Sequence, residues 1–400
     1  MESLDIPKNS EHLGRELNYP ILSTKQRRRR FVRSMANQAS RQSIFELDVL
    51  RVIGISLVLY SHSTQYLGWS PHISWFIQHP GTVGLGIFFC LSGFLMQRSR
   101  QKQDTNFDRL KFLKRRFIRI LPLYWLAIFV FVVQVHYLNI FHSVSFSPIL
   151  PTVLTHASAT QLFFVPKVAE IMTLWYIGAL IPYYLLFSWT AKFRFQTYLG
   201  LNLLVLAIAF TLKLMLDASP FTFVDSRIIL HYPTFLLGVL VAHLDANLSW
   251  VKAKSGWMTI IFGLAAIAYV PVVGRDNINL GNSLKLARNS ILYYGYCLVW
   301  ALFIILLVFW LTRQFGMNNS LIAPITGLSQ NSYAIYLFHR PIYGLLYGGL
   351  FSLNLGSTAI RTLLFPVATL VLLLASHYIT IFDINVLKPR ANKIMRKLLT

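Results

Sequence analysis

Apolar runs long enough to cross a lipid bilayer recur along this sequence from residue 47 to residue 381. A helix needs about 20 mainly apolar residues to cross the hydrocarbon core. Hydrophobic residues make up 55% of the chain and charged residues only 13%, which excludes an ordinary soluble domain. No alternating pattern of strand type competes with these runs. The sequence therefore predicts an all-α membrane protein.

We expect a polytopic bundle of about ten transmembrane helices, with both the N- and the C-terminus in the cytoplasm. The predicted spans are 46–68, 81–98, 119–139, 170–190, 195–216, 227–245, 256–273, 289–311, 331–350 and 357–381. With this topology, 29 of the 37 Lys and Arg residues lie on the cytoplasmic side, as the positive-inside rule requires. The net charge of +23 is thus a topology signal, with attraction to anionic lipid second, and does not indicate nucleic-acid binding.

The ends of the chain differ in composition from its apolar centre. We divide it into a flexible basic cytoplasmic tail over residues 1–43, a membrane domain over 44–385 and a second basic tail over 386–400. The first tail has a basic run at 27–30 and lacks the apolar core of a secretory signal. We therefore expect a multi-pass protein of the plasma (inner) membrane.

The two cysteines, Cys90 and Cys297, both fall within predicted spans. They support neither a disulfide framework nor a metal site, and we predict no bound metal. Cys90 is a possible acylated nucleophile, although a cysteine in apolar surroundings is more often an inert small hydrophobic residue.

The first span, LDVLRVIGISLVLYSH, carries Arg51 and His62 eleven residues apart. Eleven residues are close to three helical turns, so the two side chains lie about 20° apart on one face and roughly 16 Å apart along the axis. Ionisable residues inside a span are costly and are functional-site candidates by default. Asp48 lies one turn before Arg51, as an ion-pair partner or an orienting group.

Three further segments each allow a structural and a functional interpretation. The glycines of GTVGLGIFFCLSGFLM permit close helix packing, which is favoured, or contact with a long thin ligand. The segment LKFLKRRFIRILPLYW is either a basic amphipathic helix on the inner leaflet or a phosphate-binding cluster. In NSYAIYLFHRPIYG, Pro341 is expected to kink the helix beside His339, an intramembrane ionisable residue.

Six motifs in this order resemble the acyltransferase-three family of integral-membrane O-acyltransferases that modify surface glycans. They are LDVLRVIGISLVLYSH, GLGIFFCLSGF, RRFIRILPLYW, TLWYIGALIPYY, YPTFLLGVLVAH and NSYAIYLFHRP, and the resemblance covers residues 44–385. It implies ten core spans, a cytosolic acyl-CoA donor and an acceptor reached from the outer side. One departure is that Leu180 and Ile181 stand where many members have acidic residues.

The resemblance and the residue chemistry together give one set of expected site residues. The predicted catalytic pair is Arg51 and His62. The residues expected to bind the donor phosphates are Arg51, Arg115, Arg116 and Arg119. The residues expected to line the substrate site are Ser92, Gly93, Tyr333, Tyr336 and His339. Whether His62 acts as a general base or carries an acyl group stays open at this point.

The expected function is transfer of an acyl group from cytosolic acyl-CoA, with acetyl-CoA as the expected donor, to a hydroxyl of a glycan or glycolipid. Acyl-CoA is a substrate here, and no permanently bound cofactor is predicted. The expected partners are this donor, the acceptor and the lipid bilayer, with no nucleic acid. The alternative is a transporter of a lipid-linked sugar or acyl species, in which Arg51, His62 and His339 line the path.

Overall fold

Every secondary-structure element in the computed structural model is helical over the residues it describes, which are 45–67, 79–103, 107–138, 149–164, 171–216, 224–245, 248–274, 287–316, 319–352 and 357–397. The helices are α1 Phe45–Leu67, α2 Pro80–Gln101, α3 Arg109–Val132, α4 Ile149–Ala157, α5 Trp175–Thr190, α6 Phe195–Leu216, α7 Ser226–Leu244, α8 Ser249–Gly274, α9 Ala287–Phe315, α10 Asn319–Ser352, α11 Thr358–Phe382 and α12 Lys388–Lys397.

A helix lies at each of the ten predicted spans, and seven of these are long and apolar enough to cross a membrane. The protein is therefore a multi-pass membrane protein. The three outside this group are α1, α5 and α10. Helix α5 has only 16 residues, whereas α1 carries Arg51 and His62 and α10 carries His339 and Arg340. The count of ten spans and the cytoplasmic placement of both termini stay predictions.

Helix α3 begins ten residues earlier than the predicted third span. The Asp108 carboxylate accepts a hydrogen bond from the backbone N–H of Lys111 at 2.9 Å and so caps the helix before the basic segment. The basic segment and the apolar span therefore form one continuous helix rather than a separate interfacial helix. This continuity fixes the arginines of the first turns relative to the membrane-embedded part of α3.

Glycines bring α2 into close contact with its neighbours. A Cβ atom on Gly84 would lie 2.5 Å from the carbonyl oxygen of Gly54 on α1. A Cβ on Gly93 would overlap the backbone of Phe235 on α7, and one on Gly238 of α7 would overlap the backbone of Cys90. The packing interpretation of these glycines is the one the structure supports.

Helices α1 and α10 meet side by side and run in the same direction. Near one end, Arg51 contacts Ser329, and near the other, His62 contacts Arg340. In each pair the two residues are 278 positions apart in the chain, so the two helices keep the same register from one contact to the other. Helix α10 continues through Pro341 to Ser352. We call the Arg51 end of this contact the inner end and the His62 end the outer end.

By its internal contacts the chain divides into residues 1–45 and residues 46–400, and the helices described above lie in the second unit apart from Phe45. The predicted flexible tail, 1–43, lies outside the described residues. Of the second predicted tail, residues 388–397 form α12, which contacts α3. A π-helical turn at Asp383–Leu387 joins α11 to α12.

Candidate active site

A cavity of about 460 Å³ lies at the inner end of the α1–α10 contact. Seven helices and the π-helical turn before α12 contribute to its wall. The charged residues in this wall are Asp48, Arg51, Arg116, Arg119, Asp383 and Lys388. Four of these six are cationic at neutral pH, so the cavity is suited to a polyanionic ligand.

Arg51 is held in this cavity by contacts to two helices. Its Nη1 lies 2.7 Å from Oδ1 of Asp48, one turn earlier on α1, and 3.4 Å from the hydroxyl of Ser329 on α10. The Ser329 hydroxyl donates to the same Asp48 oxygen at 2.6 Å. The Arg51 and Asp48 side chains are 23% and 22% exposed, which leaves part of the guanidinium open to the cavity. Asp48 therefore acts as the ion-pair partner of Arg51.

The three arginines of α3 that are predicted to bind the donor phosphates are not equivalent. Arg116 lies over the ring of Phe112 at 5.3 Å and donates to the carbonyl oxygen of Leu95 at 3.5 Å. Arg119 also lines the cavity, and no described residue forms an ion pair or hydrogen bond with it. Arg115 is exposed and lies outside the cavity lining. Arg119 is thus the cation best placed to bind an external anion.

Two charged residues of the cavity are not among the site residues that the sequence predicts. Asp383 is buried at the start of the π-helical turn, and its Oδ2 forms an ion pair with Nζ of Lys388 at 2.7 Å. Lys388 falls in the predicted basic tail. The only sequence signal for this pair is that Asp383 is an acidic residue directly after the last apolar run. Leu180 and Ile181 of α5 stand where many members of the resembled family have acidic residues; Leu180 lines the cavity and Ile181 is buried. The carboxylates of this cavity therefore come from α1 and from the end of α11.

Ser92, Tyr333 and Tyr336 line the cavity as the sequence predicts. The Tyr333 hydroxyl donates to the carbonyl oxygen of Ile120 at 3.0 Å, and the Tyr336 hydroxyl donates to the carbonyl oxygen of Thr173. These bonds hold both rings in place. Gly93, predicted to line the same site, lies instead in the α2–α7 contact and is not part of the cavity wall.

The two remaining predicted residues, His62 and His339, meet at the outer end of the α1–α10 contact. Their rings stack with centroids 5.3 Å apart and an angle of 27° between their planes. Nη2 of Arg340 lies 2.9 Å from Nδ1 of His62, and Nδ1 of His339 lies 2.7 Å from the carbonyl oxygen of Tyr336. Arg340 was not predicted as a site residue, because only the pairing of α1 with α10 brings it to His62.

Tyr336 connects the cavity with this histidine pair. It lines the cavity, and its ring centroid lies 6.3 Å from that of His339 on the next turn of α10. On its other side, the Tyr176 ring meets Tyr336 edge-on at 5.4 Å. Neither histidine is part of the cavity wall. The aromatic residues Tyr176 and Tyr336 thus form the partition between the cationic cavity and the histidines.

His231, His243 and the two cysteines lie apart from this arrangement. His231 is buried among the rings of Phe89, Trp175 and Tyr294, and His243 stacks on Phe195. Cys90 and Cys297 are both buried and unbridged. Within the described residues, no three His, Cys, Asp or Glu side chains are grouped so that they could hold a metal ion.

The family model described as "Acyltransferase domain" matches residues 44–381, which is most of the chain. The chain therefore belongs to the acyltransferase-three family, and the protein is a membrane-embedded acyltransferase. This confirms the resemblance drawn from the six motifs. Neither the curated proteins nor the solved structures contain a match to it.

Proposed function

We propose that this enzyme moves an acyl group from cytosolic acyl-CoA to a hydroxyl of a glycan or glycolipid on the outer side of the plasma membrane. Acetyl-CoA is the expected donor. The observation that carries this proposal is the cationic cavity at the inner end of the α1–α10 contact, separated only by an aromatic partition from two histidines at the outer end.

The donor-binding part of the proposal rests on charge and access. CoA carries several phosphate charges, and guanidinium groups bind phosphate through forked, charge-assisted hydrogen bonds. Arg119 has no anionic partner among the described residues, and Arg51 and Arg116 line the same cavity. We therefore place the CoA phosphates at these three arginines, with Lys388 in the same cavity wall.

The transfer part rests on the spacing of the two ends. Arg51 and His62 are separated by roughly 16 Å along α1, a distance that an extended thiol-bearing arm can cover. With the phosphates at the inner end, the thioester passes Tyr336 and reaches the histidine pair. Acyl transfer to a hydroxyl needs a proton acceptor and stabilisation of the developing oxyanion, and histidine serves both needs. We therefore assign His62 to the catalytic site and Arg51 to the donor site that supplies it.

The test is transfer by the purified protein in liposomes, with the donor supplied on one side and a hydroxyl acceptor on the other. Labelled acetyl-CoA should yield labelled acceptor together with free CoA, and mass spectrometry should show one added acyl mass. Surface glycans of cells lacking the protein should lose that mass. Movement of the acceptor across the bilayer without consumption of acetyl-CoA would instead identify a transporter.

A further inference from the structure

His339 has one ring nitrogen engaged and the other without a partner. A carbonyl oxygen only accepts hydrogen bonds, so the 2.7 Å contact to Tyr336 requires a proton on Nδ1 of His339. The neutral ring then carries its lone pair on Nε2. That atom is buried and has no hydrogen-bond partner in the described structure, and the residue is 0% exposed. A buried, unpaired acceptor costs free energy and calls for an explanation.

His62 has the opposite arrangement. The arginine guanidinium only donates hydrogen bonds, so the 2.9 Å contact from Arg340 requires a bare Nδ1 on His62. The neutral His62 ring therefore carries its proton on Nε2 and presents a donor there. While this contact holds, Nδ1 of His62, which carries the only free lone pair of the ring, cannot take up a proton, because a charged ring would then lie directly against the Arg340 guanidinium.

We propose that the two histidines divide the reaction between them, an inference that rests on the acyltransferase function proposed above. Nε2 of His339 takes the proton from the acceptor hydroxyl. The Nε2–H of His62 donates to the oxyanion of the tetrahedral intermediate. Arg340 is a positioning residue, because it fixes the proton of His62 on the nitrogen that faces away from it.

The step balances without any further reactant. The hydroxyl proton moves to Nε2 of His339 as the hydroxyl oxygen forms a bond to the thioester carbonyl carbon. The carbonyl oxygen becomes the oxyanion and accepts from His62. The carbonyl re-forms, the carbon–sulfur bond breaks, and the leaving thiolate takes the proton from His339. The products are the acyl ester and free CoA, and both histidines return to their starting state.

The backbone supplies the orienting group that a carboxylate provides in many catalytic triads. In such triads the carboxylate holds the histidine in one tautomer. Here the Tyr336 carbonyl does so for His339, one turn earlier on the same helix. Because Nε2 of His339 is buried, side chains around it must move for the hydroxyl to come within about 3 Å of it. The same burial protects the proton acceptor from water until the acceptor binds.

The experiment compares amide replacements that imitate one ring nitrogen at a time. Gln places an N–H donor near the position of Nε2, whereas Asn imitates only Nδ1. We expect His62→Gln to keep turnover within about tenfold of wild type, and His62→Asn and His62→Ala to lose about 10²–10³-fold, as when an oxyanion donor is removed. At position 339 neither amide can take a proton, so His339→Gln and His339→Asn should both lose about 10²–10⁴-fold.

Arg340 gives an independent readout. Arg340→Met removes the donor to His62 and should lower turnover while leaving the KM for acetyl-CoA unchanged. Arg340→Lys still offers an N–H donor to Nδ1 and should restore part of the lost turnover. A role in packing alone predicts no such rescue by a charged side chain of different shape.

The inference is overturned if His62→Gln is as inactive as His62→Ala, or if either amide at position 339 stays within tenfold of wild type. Acetyl-CoA binding, measured in membranes matched for protein amount, checks that each variant is folded. If the wild-type protein transfers no acyl group, the proposed function itself fails. A wild type that is active while the variants rank in the reverse order rejects only this division of roles.

Discussion

The two ends of the α1–α10 contact use the same kinds of residue in different surroundings. At the inner end, Arg51, Asp48 and Ser329 form a network whose charged side chains are about a fifth exposed and open into a cationic cavity. At the outer end, Arg340 and His62 pair beside His339, which is fully buried. Binding of phosphate needs access and strong donors, whereas proton transfer needs a fixed tautomer and little water. One helix pair meets both demands because the demands are separated along its length.

After the variants at position 339, the largest effect that would sharpen this comparison is expected at His62, at the outer end. His62→Ala should reduce turnover by about 10²–10³-fold, because it removes the Nε2–H that we assign to the oxyanion. The KM for acetyl-CoA should change little, since the phosphates bind at the other end. Steady-state kinetics in liposomes measure both quantities. A rise in KM with unchanged turnover would place His62 in donor binding and end the distinction between the two ends.

Arg119→Ala should show the complementary pattern at the inner end. Loss of a charge-assisted contact worth about 1.5–3 kcal/mol should raise the KM for acetyl-CoA by about 10- to 150-fold, with turnover nearly unchanged. The matched control is S-acetylpantetheine, which lacks the nucleotide phosphates and should be used equally well by the wild type and the variant. Equal losses with both donors would show that Arg119 does not recognise phosphate.

Arg51→Lys should have a smaller effect of the same kind. Lysine keeps the charge but cannot contact Asp48 and a phosphate through one planar fork, so we expect the KM for acetyl-CoA to rise about 2- to 10-fold. The variant should still insert, because the N-terminal tail keeps its other inside markers, among them Arg27 to Arg30. Wild-type kinetics in this variant would show that Arg51 does not bind phosphate and serves only as a positive charge that sets the membrane topology.

Arg115→Ala should have the smallest effect and serves as the control within the same basic motif. Its side chain is exposed and lies outside the cavity wall, so the KM for acetyl-CoA should stay within about threefold of wild type. If this variant loses as much affinity as Arg119→Ala, the cavity wall is not what distinguishes the arginines.

Hydropathy and residue type predicted the helices and most of the candidate site. The predicted span 195–216 coincides with α6, because apolar length alone sets its limits. Arg51 and Arg119 were found because charged residues in or beside apolar runs are conspicuous, whereas Tyr336 was found through the family resemblance. Arg340 and Asp383 were not found as site residues, since their roles depend on which helices meet. A contact between residues 278 positions apart, such as that of His62 with Arg340, produces no pattern that can be recognised in a single sequence.

Gly93 shows the converse limit. The motif that contains it pointed to the site, and the motif does contribute Ser92 to the cavity. Gly93, the next residue of α2, faces α7 instead, and a Cβ atom there would overlap the backbone of Phe235. Neighbouring residues of a helix face directions about 100° apart, so a motif cannot assign all its residues to one surface.

The ion pair within α1 has a consequence for the synthesis of the protein. Ser329 is translated 278 residues after Arg51, which at about 5–20 residues per second is a delay on the order of 10–60 s. Throughout that interval α1 has no α10 beside it. Asp48, at 2.7 Å on the same helix, gives Arg51 a counter-charge from the moment the helix forms. Arg51 can therefore enter the bilayer already paired, and the yield of inserted Asp48→Asn protein would report how much this early pairing contributes.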